Sequence, residues 1–62
     1  MDDKAHILAA YGAALQALYR VFYESFTEAQ GYAEGERKAE ERFKAGVTHA
    51  RYVRDRALAL VE

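Results

Sequence analysis

Between residues 7 and 26 the chain reads ILAAYGAALQALYRVFYESF. Apolar side chains return there every three or four positions, at Leu8, Tyr11, Leu15, Leu18, Phe22 and Phe26. That is the period of an amphipathic helix. Ile7, Ala14 and Val21 widen the stripe on one side, and Tyr19, Phe26 and the small Gly12 widen it on the other. A stripe this broad suits a helix packed against more than one neighbour rather than a two-stranded seam. The outer face, Ala9, Ala13, Gln16, Arg20 and Tyr23, is poor in charge.

The pattern predicts a first helix from about residue 3 to about residue 30, with Asp2 or Asp3 as its N-cap. Gly12 lies inside it, at a cost of about 1 kcal/mol relative to alanine. Its presence predicts the close approach of a neighbouring helix. The one strong breaker is Gly31-Tyr32-Ala33-Glu34-Gly35, read as a turn over 31–35, with Gly31 in the left-handed position that ends a helix. A second helix follows from about 35 to 61. No Ser, Thr, Asp or Asn stands ready to cap it, although Glu34 and Glu36 favour its first turn electrostatically. Its opening is polar, with charges paired at four-residue spacing as Glu34–Lys38, Arg37–Glu41 and Glu40–Lys44. Its apolar stripe is rich in small residues, Ala39, Gly46, Ala50 and Ala57, with Phe43 and Val53 among them. Bulky residues on one helix and small ones on the other favour close packing of the pair.

A seven-residue register also runs in phase through the breaker, with Leu8, Leu15, Phe22, Ala29, Glu36, Phe43, Ala50 and Ala57 at one position and Tyr11, Leu18, Ser25, Tyr32, Ala39, Gly46, Val53 and Leu60 at the other. One continuous coiled-coil helix would show this pattern. Ser25, Ala29 and Glu36 weaken the seam at its middle, and two glycines flank it, so the hairpin is the preferred reading. The fold expected is all-α, a single domain over 1–62. It is built of two long antiparallel helices that dimerise into a four-helix bundle, with a tetramer as the second choice.

Composition sharpens that expectation. A chain of 62 residues buries little of its surface when folded alone, and the absence of cysteine removes disulfides and thiolate metal sites. A partner subunit is the remaining source of burial. The lack of cysteine also suits a reducing cytoplasmic setting. Proline is absent and helix formers abound. The net charge of −1 implies neither a basic nucleic-acid binder nor an acidic tail. Arg20, Gln16 and Glu24 interrupt the apolar stretch, so no membrane span is expected, and the start Met1-Asp2-Asp3-Lys4 lacks the basic region of a secretory signal.

Candidate chemistry is sparse. A carboxylate-bridged metal site in a bundle needs Glu-x-x-His pairs, but position 46 is glycine and Asp3 precedes His6 only at the terminus. Glu24 and Glu28 share a face near a helix end. Ser25, Thr27 and Thr48 lie in no nucleophile elbow or phosphate loop, and Thr48 and His49 are adjacent in sequence rather than paired on one face. No catalytic, metal-binding or cofactor-binding residue is assigned. Lys44, Arg51, Arg54 and Arg56 give the second helix a local positive bias, relieved by Asp55, and are the candidate nucleic-acid contacts. The function expected is that of a small self-associating interaction or scaffold protein, with a larger protein partner as a further possibility and nucleic-acid binding as the alternative. The candidate oligomer interface comprises Ile7, Leu8, Tyr11, Leu15, Leu18, Tyr19, Phe22, Phe26, Phe43 and Val53, with tyrosines favoured where a ring packs and its hydroxyl stays satisfied.

Overall fold

The computed structural model describes residues 2–62 and contains two helices, α1 (Asp3–Glu28) and α2 (Ala33–Leu60), packed against each other as an antiparallel hairpin. The extents of its Cα trace are 47 × 16 × 7 Å, a slab two helices wide and one helix thick. Asp2 caps α1: its carboxylate accepts a hydrogen bond from the Ala5 backbone N–H at 3.2 Å. That bond satisfies one of the donors a helix start leaves free.

The turn lies about two residues earlier than the sequence reading, because α1 ends at Glu28 and α2 already begins at Ala33. Gly31 takes φ +89°, the left-handed conformation expected of it. Gly35 is not part of the turn but lies in the first turn of α2. A Cβ there would stand 2.8 Å from that of Ala29 and 2.9 Å from the Tyr32 ring. Tyr32 occupies the N-cap position of α2 without a side-chain cap. Glu36 takes over part of that role by reaching back, its carboxylate accepting from the Gly31 N–H at 3.0 Å. The geometry is one residue removed from the reciprocal bond of a capping box.

One register holds from the turn to the open end. Ala29 faces Gly35, Leu18 faces Gly46, Phe22 stacks on Phe43 at 4.9 Å, Arg54 lies over the Tyr11 ring, and Lys4 meets Glu62 at 3.9 Å. Facing residue numbers therefore add to between 64 and 66 throughout. The bulky-on-small arrangement holds at Leu18 and Gly46, whereas Phe22 meets another large ring.

The seven-residue register does not stay in the seam. Leu15, Phe22, Ala39, Phe43, Gly46 and Ala50 are buried or half-buried, yet Leu8 is 51 % exposed, Val53 50 % and Leu60 83 %. A straight helix turns about 20° per heptad away from a strict 3.5 repeat. Positions spaced by seven thus rotate out of contact towards the open end. There Tyr11 and Ala57 are the register positions that stay half-buried, joined by Ile7 on α1 and by Arg54 and Leu58 on α2.

The structure corrects the reading of Gly12. Nothing approaches within 4 Å of the place its Cβ would occupy, so the close helix contact expected there belongs to Gly46 instead. The predicted pairs Glu34–Lys38 and Arg37–Glu41 form at 4.0 and 3.3 Å, and Arg37 also reaches Glu34 at 3.6 Å. Glu40 and Lys44 make no ion pair among the described residues.

Candidate interaction surface

Packing two helices side by side covers one strip of each and leaves two broad faces. Ala39, 4 % exposed, is the only buried residue among those described. The expected interface residues fall into three groups. Tyr11, Leu18, Phe22 and Phe43 line the seam and are half-buried by the partner helix. Leu8, Leu15, Tyr19 and Phe26 flank the seam on one side, where α1 also shows the exposed Tyr23, its ring 6.2 Å from that of Tyr19. Ile7 and Val53 lie on the other side.

That other side holds a groove of about 650 Å³ between the helices, at the open half of the hairpin. Its walls are small and apolar: Ala10, Ala14 and Ala17 from α1, and Ala50, Val53 and Ala57 from α2. Gly46 and Leu18 close its floor. These alanines recur at three- and four-residue intervals, so they form a smooth ridge rather than scattered points. His49 stands on the rim, where it also borders the exposed outer surface of α2 beside Lys44, Thr48 and Tyr52. No carboxylate lines the groove. The sequence reading counts Ala14, Ala50 and Ala57 in the apolar stripes but omits Ala10 and Ala17, and it does not gather them into one groove.

The basic residues of α2 do not form one surface. Lys44 and Arg51 are seven apart and share a flank, and Arg51 and Arg54 are three apart. Arg54 is drawn into the fold: its guanidinium lies 4.5 Å from the centre of the Tyr11 ring and bonds the Asp55 carboxylate at 2.9 Å. Arg56, two positions further on, points to the opposite side of the helix. Among the described residues no cluster of His, Asp and Glu is placed to hold a metal ion, and no helix is long and apolar enough to cross a membrane. Comparison with protein-family models, with curated proteins and with solved structures finds no match for this chain.

Proposed function

We propose that this protein is a small self-associating interaction module, a hairpin that pairs with further copies of itself into a helical bundle and acts through the assembled surface. The observation that supports this reading is that, among the described residues, Ala39 alone is buried. A single domain normally closes around a core of several large side chains, and chains near this length are marginal even when they do. Here Leu8, Val21, Val53 and Leu60 remain exposed on a two-helix slab. Covering part of this apolar surface would stabilise the fold, and two hairpins forming four helices are the simplest arrangement that does so. The dispersal of Lys44, Arg51, Arg54 and Arg56 lends the nucleic-acid reading less support. Sedimentation equilibrium at micromolar concentration tests the proposal: a dimer or tetramer is expected, and a monomer would remove it.

A further inference from the structure

The covered stripes on either side of the turn continue one another. Before it, Leu18, Phe22, Ser25 and Ala29 are half-buried; after it, Glu36, Ala39, Phe43 and Gly46 are half-buried or buried. Within each run the steps are three or four residues, and from Ala29 to Glu36 the step is seven. A helix continued through the turn would carry both runs on one face. We infer that the turn is a hinge: with residues 29–32 helical, two copies pair antiparallel along this face as a domain-swapped dimer. The inference goes beyond the self-association reading and does not rest on packed hairpins.

The register supplies the first support. Facing residue numbers keep a nearly constant sum, so the hairpin contacts are symmetric about a point between residues 32 and 33. Two straight helices related by a two-fold axis at that point remake each pair between copies. Leu18 of one copy meets Gly46 of the other, Phe22 meets Phe43, and Tyr11 meets Arg54. Exchanging identical elements in this way costs little, because the same contacts are lost and regained.

The build of the turn supplies the second. It is short, residues 29–32, and its Gly31 is held at φ +89°. Short hinge loops invite exchange. Tyr32 gives α2 no side-chain cap, and Glu36 is the one side chain that bonds across the turn. The chain has no proline, so every residue of the turn can donate its N–H within a helix. Gly31 and Gly35 are what favour the hairpin. A Cβ at 35 would collide with that of Ala29, which has no rotamer to turn away.

Tyr32 supplies the third. It is 67 % exposed at the tip of the hairpin. In a continuous helix it falls three residues after Ala29 and four before Glu36, on the shared face and next to the two-fold axis. There it packs against its own counterpart. Cover for Tyr32 and release of Gly31 from the left-handed conformation then stand against the entropy of association, and concentration decides between the two forms.

The chain has no cysteine, and Lys4 meets Glu62 at the open end, so Lys4→Cys with Glu62→Cys places two thiols for a short bis-maleimide. A hairpin is cross-linked within one chain, packed hairpins included; a swapped dimer is cross-linked between chains and runs as a covalent dimer in denaturing gels. Gly31→Ala with Gly35→Ala obstructs the turn and favours the continuous helix, and is expected to strengthen dimerisation by about a hundredfold or more. In that background the cross-link is expected between chains. The scattering envelope should lengthen towards the roughly 87 Å of a helix over residues 3–60, against 47 Å for the hairpin. A cross-link that stays within the chain, in a monomer or in an oligomer, would overturn the inference; in an oligomer it would leave the self-association reading standing. A second measurement keeps the native turn. The two-cysteine chain is refolded from urea at micromolar and at millimolar concentration, and the interchain fraction is expected to rise at least about tenfold. Its absence at both concentrations would overturn the inference. Tyr32→Asp caps α2 and removes the ring from the shared face, so it is expected to lower the interchain fraction about tenfold. An unchanged fraction would overturn the role given to the turn.

Discussion

Leu18 leans on Gly46 so closely that a methyl group at position 46 would stand 2.6 Å from Leu18 Cδ2. Of the four glycines, this one has the least room for a side chain. Gly46→Ala sets two effects against each other: a gain of about 1 kcal/mol in helix propensity and a collision with the movable end of a leucine. The net change is expected to stay within about 1 kcal/mol. Gly46→Leu cannot be absorbed by turning one methyl group and is expected to cost about 1–3 kcal/mol. Combining it with Leu18→Ala should recover part of that loss, so a thermal double-mutant cycle measures the contact. Strict additivity of the two changes would refute the pairing.

Gly12 stands at the other extreme. It is inside α1 with open space where a side chain would go. Gly12→Ala is expected to stabilise the chain by about 1 kcal/mol, a rise of about 4–8 °C in Tm for a domain of this size. If the chain self-associates as proposed and Gly12 stays uncovered, the gain persists in the oligomer. A fall in Tm would show that another copy approaches at Gly12.

At the turn, Glu36 and Gly31 act together. Glu36→Gln keeps an acceptor but removes its charge, and Glu36→Ala removes the bond to the Gly31 N–H altogether. The alanine variant is expected to lose about 0.5–1.5 kcal/mol and the glutamine variant less, read by urea unfolding. Gly31→Ala forces a side chain into the left-handed conformation and is expected to cost about 1 kcal/mol. Equal stability of all three variants with the unmodified chain would mean the turn is held by packing alone.

Arg54 and Tyr11 cross the seam near the open end. Tyr11→Leu retains an apolar side chain but removes the ring face on which the guanidinium rests. The expected cost is about 0.5–1 kcal/mol, against a negligible change for Arg56→Ala on the far side of the helix. Similar losses for both would show that Arg54 contributes only its charge.

Much of this architecture is legible in the residues themselves. The three- and four-residue recurrence from Leu8 to Phe26, the glycines at 31 and 35 and the pairs around Arg37 foretell two helices, a break and an exposed charged face, because each is a local property. What escapes the sequence depends on the path of the helices relative to each other. Val53 and Leu60 occupy the same heptad position as Gly46 and differ from it only through the accumulated rotation of a nearly straight helix. Gly12 and Gly46 are indistinguishable until the register decides which one meets a leucine. Glu36 reads as a general dipole partner, and its bond to Gly31 needs the turn geometry to be seen. The alanine groove escapes for a related reason: Ala14, Ala50 and Ala57 read as stripe residues of separate helices, and only the pairing of α1 with α2 lines them into one surface.

The thinness of the slab has a cellular consequence. A body 7 Å deep in its Cα trace has no inner layer of side chains, and Ala39 alone is buried among the described residues. If a second copy covers it, as proposed, that copy shares the free energy of the fold. For a hairpin covered by its own copies, the folded fraction becomes a function of abundance. Newly made chains below that threshold would be open to proteases, while those above it protect one another.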